Sequence, residues 1–252
     1  MKKFLIIPFI VLSIFSCEKE ENEKVDPRLS SEINFESLGP AVSKFGSTIS
    51  DIEGNSYKTV VIGKQEWMAE NLKVSKYNDG SSIPNITDRI LWKTTKSNAW
   101  AYPIEAIEGE KYNKKFGKLY NWYTVDLKTN GNKNVCPTGW HVPSDAEWTI
   151  LTDYLGGPSD AGGKMKEVGL TTWNSPNAGA TNISLFTSIS GGYRADDGVE
   201  INVGFGAGYW STTVYDHDTL NAWFINLSDT ETSATRLGFS KKFGFSIRCL
   251  KD

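Results

Sequence analysis

The sequence predicts an α+β domain of short mixed strands, two helices and long loops. Three observations predict it. Glycine is abundant (23 of 252 residues) and aromatics make up 12%, a composition of tight turns and half-buried strands. Long stretches with a helical apolar period are few, while short apolar runs bounded by glycine, proline or asparagine recur to the end of the chain. One segment carries a full helix-start signal, at Ser144 to Glu147.

The elements follow in chain order. Met1, Lys2 and Lys3 precede an apolar stretch from Phe4 to Ile14, short of the roughly 20 residues a spanning helix needs. Ser16-Cys17 then places a small residue before a cysteine, the layout of a bacterial lipoprotein leader. Residues 1–16 are read as a signal peptide, Cys17 as the lipidated first residue of the mature chain, and the outer membrane as its lipid-anchored location. One acyl chain holds only marginally, so stable anchoring calls for more than one on Cys17. Residues 17–46 are polar, acidic at first and without a hydrophobic period, which reads as a flexible tether. Within it, Lys19-Glu20-Glu21 resembles the acidic export signal of surface-exposed lipoproteins in the Bacteroidetes, and cell-surface exposure follows from that resemblance.

The domain is expected over 47–252, with order starting near Ile49. Two β-type runs flank Gly63-Lys64 and predict a hairpin ending at Trp67. Asn78-Asp79-Gly80 marks a turn, and Pro84 to Glu110 reads as an irregular excursion. Phe116 to Val125 is dense in aromatics and reads as a buried strand or short helix. After Ser144, the apolar residues Trp148, Leu151 and Leu155 recur at helical spacing until Gly156-Gly157-Pro158 stops them. A second short helix is expected near Ala161 to Val168, and strands and loops beyond Thr171.

Charge and cysteines narrow the classes. The formal charge is −3 with scattered Lys and Arg, which gives no footing for nucleic acid. With Cys17 acylated, Cys136 and Cys249 remain, and in an oxidising compartment two leftover cysteines pair. Closing so long a loop contributes about 4–5 kcal/mol in the chain-entropy account. Two distant cysteines with His141 and His217 form no metal-ligand spacing.

Five motifs stand in one order: Asp51-Ile-Glu-Gly-Asn-Ser-Tyr57, Trp67-Met-Ala-Glu-Asn-Leu72, Tyr120-Asn-Trp-Tyr123, Cys136-Pro-Thr-Gly-Trp-His-Val-Pro-Ser-Asp-Ala-Glu-Trp148 and Gly244-Phe-Ser-Ile-Arg-Cys249. Together they resemble the Fibrobacter succinogenes major paralogous domain, a family of exported proteins, over essentially the whole mature domain. The resemblance implies a C-type-lectin-like fold, in which the strand feeding the first helix and the last strand lie close enough for Cys136 to reach Cys249.

Chemistry is sparse. The stretch from His141 to Trp148 resembles the strand-into-helix motif of formylglycine-generating enzymes, but Cys136 precedes it and no late reactive cysteine pair exists. No nucleophile elbow, phosphate loop or zinc-protease motif occurs. His141 reads as a hydrogen-bonded core residue and His217 as an exposed loop residue. Asp196/Asp197 and Asp216/Asp218 read as solvated turn acids rather than a glycosidase pair. Calcium is the one cofactor left in play. The lectins of this fold bind it on a loop whose counterpart here, Trp173 to Asn182, offers Asn177 and Asn182 but no carboxylate; Asp196, Asp197 and Glu200 are further oxygen donors. Trp67, Trp122, Trp140, Trp148, Trp210 and Trp223 sit in core patterns. Trp92, Trp100 and Tyr102, in the polar excursion, are the candidate recognition surface, with Asn177 and Asn182. The expected function is non-enzymatic recognition of a glycan or surface protein by a membrane-anchored module. A structural role in an envelope complex is the alternative, and a hydrolase using the acidic loops a third.

Overall fold

The computed structural model describes residues 43–103 and 114–252; Cys17, the leader and most of the tether lie outside them. Two sheets carry the fold. The first has the order β1-β2-β3-β13-β6, formed by Lys44–Ser50, Ser56–Ile62, Gln65–Met68, Leu250–Lys251 and Trp140–His141. The β2–β3 hairpin is the expected one: Ile62 pairs with Gln65, and Gly63 at φ +61° takes the turn position L side chains avoid. β13 runs antiparallel between β3 and β6, with Leu250 opposite both Trp67 and His141. The strand β1 starts at Lys44, inside the segment read as tether, because backbone pairing to Val61 and Val60 extends it past the apolar signal at Ile49. A bulge between Phe45 and Thr48 breaks its outer edge. Gly46 sits in that bulge, where a Cβ would lie 2.3 Å from the Thr59 hydroxyl.

The second sheet has the order β11-β10-β9-β7-β12-β5-β4, with β8 on β7. Its strands are β4 (Trp100–Ala101), β5 (Leu119–Asn121), β7 (Gly191–Arg194), β8 (Glu200–Val203), β9 (Gly206–Val214), β10 (Asn221–Ser228), β11 (Ala234–Ser240) and β12 (Gly244–Phe245). Pairing is antiparallel except between β7 and β9. The aromatic run before Val125 is both things expected of it, since β5 leads directly into a 3₁₀ turn at Trp122–Thr124.

Three helices complete the set named here. α2 (Asp145–Tyr154) starts as its sequence requires: Ser144 accepts from the Glu147 N–H, and Glu147 accepts from the Ser144 N–H. Gly156 and Gly157, at φ +100° and +95°, end it. α3 spans Pro158–Met165, earlier than the expected Ala161 to Val168. Pro158 does not close α2; it opens α3, at the position where its missing N–H costs nothing. α1 (Arg89–Thr94), capped by Asp88, and β4 correct the reading of Pro84 onward as irregular.

Among the described residues two large clusters and a small one, Trp92 with Ala99 and Ala101, form the core. Trp148 and Leu151 of α2 pack with Val60, Trp67, Phe186, Tyr209 and Ile225. Tyr57, Leu72, Trp122, Trp210, Phe224 and Phe245 pack around the cystine. All six tryptophans expected inside are buried. Cys136 and Cys249 are bonded, with Cα atoms 5.9 Å apart across a separation of 113 residues.

The sequence motifs converge around that bond. The Met68 N–H donates to the Cys249 carbonyl and the Leu72 N–H to that of Ile247, both at 2.9 Å. Asn71 donates to the Phe116 carbonyl and to Ser246, and accepts from Arg248 Nε at 2.8 Å. Asp51 gathers the N–H groups of Glu53 and Asn55 and the Tyr57 hydroxyl onto its carboxylate, closing the β1–β2 loop. These motif residues build the domain, and the polar atoms named here are spent inside it.

Candidate functional site

The expected recognition residues are placed elsewhere than on a shared surface. Trp92 is fully buried with Arg194 4.8 Å from its ring centre, and Trp100 is 7% exposed with the Lys118 ammonium 4.1 Å above it. Neither ring can meet a ligand, which corrects the reading of both as an exposed platform. The polar residues around them misled that reading: in α1 only Trp92 turns inward, while Ile90 and Leu91 stay exposed. Tyr102 is half-buried, with its ring edge on Trp100 at 5.1 Å.

Asn177 is buried and donates to the Glu167 and Gly169 carbonyls, so it folds its own loop. Asn182 exchanges hydrogen bonds with Thr187 at 2.8 and 2.9 Å. Both adopt positive φ, which asparagine tolerates best after glycine. No hydrogen bond or ring contact among the described residues joins these two loop amides to Trp92, Trp100 or Tyr102. Asp197 pairs with Arg89 and Glu200 with Arg194. Among the described residues no three His, Cys, Asp or Glu side chains gather as metal ligands.

A different site lies at the start of α2. A groove of about 590 Å³ opens there, its aliphatic side formed by Leu127, Val135 and Val142 and its polar end by His141, Glu147 and Asp252. The elements that place these groups are β6, which carries His141; the first turn of α2, which carries Glu147; and the residue after β13, Asp252. His141 is not a core residue, being about one-third exposed, but it is fully hydrogen-bonded. Nδ1 lies 2.7 Å from Asp252 and Nε2 lies 3.0 Å from Glu147.

The electrostatics follow from that bracket. Burial alone would depress the imidazole, yet the hydrogen bonds and charges of Asp252 and Glu147 outweigh it and raise the pKa. Burial would likewise raise Glu147. Hydrogen bonds from the Ser144 N–H and hydroxyl, then from His141, hold it below the usual carboxylate range.

Ser144, His141 and Glu147 have the composition of a hydrolytic triad but not its wiring. The serine hydroxyl donates to Glu147 at 2.7 Å, and both imidazole nitrogens face carboxylates, so no lone pair points at a nucleophile. Glu147 was legible in the sequence only as a capping residue. The partnership of His141 with Asp252 spans 111 residues, and no local signal announces it.

The fold is thus a disulfide-closed α+β domain with a polar-ended groove at a helix start. Residues 60–251 match the family model of the Fibrobacter succinogenes major domain, and the chain belongs to that family. No curated protein and no solved structure matches the chain.

Proposed function

We propose that this chain is an envelope lipoprotein whose C-type-lectin-like domain recognises a surface glycan or protein without catalysis. One observation carries the reading: the groove beside α2 has an aliphatic wall and a polar end whose histidine and serine are both committed to carboxylates. Such a site holds and orients a ligand, with no activated nucleophile. The lectin-like assignment is supported by the last strand lying between β3 and β6, in the sheet that also holds β1, and by the cystine that fastens the C-terminal segment to the one leading into β6. The lipid anchor rests on the leader and Cys17.

Two measurements test this. Full-length protein carrying a photo-crosslinker in place of Leu127, at the groove lip, is expected to give a discrete adduct in native cells, and one at exposed Lys64 none. No adduct at Leu127 removes the groove from the reading. Mass spectrometry of the native protein is expected to find acyl chains on Cys17, and an unmodified cysteine there ends the anchored assignment.

A further inference from the structure

On the other flank of α2's first turn, the loop between β9 and β10 folds back over β11. We propose that Tyr215 in this loop is a stacking platform for a neutral pyranose, with Asp216, His217 and Arg236 as its hydrogen-bonding rim. The proposal rests on the domain being a recognition module, but it uses none of the residues lining the His141 groove.

The geometry starts from Gly238. A Cβ there would lie 2.3–2.5 Å from Cγ, Cδ2 and Cε2 of Tyr215, so the phenol ring rests against the bare backbone of β11. Trp223, opposite Gly238 in the sheet, meets Tyr215 edge-on at 4.5 Å, and His217 meets it at 5.2 Å. Trp223 itself is only 9% exposed, with the Arg236 guanidinium 3.6 Å over its ring. Tyr215 is half-buried, and Asp216 and His217 are exposed. The ring is therefore backed by the strand at Gly238 and braced by Trp223 and His217, with its exposed part toward solvent.

An aromatic lying over a strand glycine also occurs purely as cover for the gap. The rim separates the two readings. Arg236 spends Nε on Asp145, and Asp216 spends Oδ1 on the Trp223 indole at 3.3 Å. Among the described residues, the Arg236 Nη donors, Asp216 Oδ2, the His217 ring nitrogens and the Tyr215 hydroxyl have no hydrogen-bond partner. Both donors and acceptors thus stand near the aromatic ring, which matches a pyranose: C–H bonds on the ring face, hydroxyls around its edge. Charge selects within that class. Asp145 neutralises Arg236, while exposed Asp216 leaves the rim acidic, which disfavours uronic and sialic acids.

The test is titration of the full chain with methyl glycosides of glucose, galactose, mannose, N-acetylglucosamine and glucuronic acid. Binding is read by tryptophan fluorescence and saturation-transfer NMR. At least one neutral glycoside is expected to bind in the millimolar range, and the glucuronide more weakly. Tyr215→Ala is expected to weaken binding about tenfold or more. Tyr215→Phe should retain most of it, and Gly238→Val should abolish it by pushing the ring off the strand. Lys64→Ala, at an exposed turn outside both sites, should leave it unchanged. If Tyr215→Ala does not fold, Asp216→Asn and His217→Ala, both at the surface, carry the test through several-fold losses. Glycoside binding lost in Glu147→Gln but kept in Tyr215→Ala would move the sugar to the groove and overturn the platform. Binding of no glycoside by the wild type would also overturn it, while leaving the groove to be judged by its own cross-linking.

Discussion

Arg248 offers the sharpest perturbation of the fold. It is 1% exposed, and its guanidinium reaches four acceptors: Asn71 Oδ1 at 2.8 Å, the Met68 carbonyl at 3.3 Å, the Thr187 carbonyl at 2.9 Å and the Phe186 carbonyl. Among the described residues no carboxylate hydrogen-bonds to it, and the Phe186 ring lies 4.4 Å away. Burial presses its pKa below the ordinary arginine value, the mark of a desolvated cation held by dipoles.

Arg248→Met keeps much of the apolar stem but strands the four acceptors, each costing about 1–3 kcal/mol when buried unpaired. Against that stands the recovered desolvation of the charge, several kcal/mol. The net expectation is a loss of about 4 kcal/mol. With a urea m-value of about 3 kcal/mol/M for a chain of this size, the midpoint should fall by roughly 1.3 M. Arg248→Lys keeps the charge but presents its donors from one point, and should lose about half as much. Equilibrium urea unfolding of the oxidised protein, followed by tryptophan fluorescence, measures both. A Met variant within about 1 kcal/mol of wild type at unchanged m would refute the idea that this cation clasps the 67–72, 186–187 and C-terminal segments.

Three further outcomes follow from the structure. Replacing Cys136 and Cys249 by serine should cost about 4–5 kcal/mol, read in the same urea assay against wild type with and without reductant. Gly162→Ala would ordinarily favour a helix by about 1 kcal/mol. Here its Cβ would lie 2.1 Å from the Ser233 backbone carbonyl, so thermal melts should show a loss of about 2 kcal/mol instead. For His141 the folded pKa is raised, so its contribution to stability is complete below the unfolded value near 6.5 and fades as pH rises through the folded one. The difference in Tm between wild type and His141→Gln should therefore shrink from pH 6 to pH 8. A difference that stays constant or grows would mean the two carboxylates do not hold the ring.

What could be read in advance had a local or combinatorial cause. α2 was legible because Ser144 and Glu147 sit three residues apart and need only each other. The β2–β3 hairpin was legible because Gly63-Lys64 permits the turn, and the cystine because two cysteines remained once Cys17 was set aside. α1 left one usable signal, Asp88 three residues before Leu91, but its single inward residue gives no period to find. Among the strands and loops expected beyond Thr171, β11 had no boundary of its own, because its residues are mostly half-buried and do not alternate.

By itself, then, the sequence determined the family, the α+β class, the helix start and the cystine, since hydrogen bonds within a turn and the pairing of two spare thiols need no knowledge of distant residues. Which rings are covered could be decided only in three dimensions. Trp92 and Trp100 look exposed beside their polar neighbours until Arg194 and Lys118 arrive from elsewhere in the chain. Tyr215 becomes a platform because Gly238, on another strand, leaves it a bare backbone to lie on, and His141 meets Asp252 because β13 enters the sheet beside β6. Burial and charge pairing depend on what packs against a residue, and in this fold the decisive neighbours come from strands and loops far away in the chain.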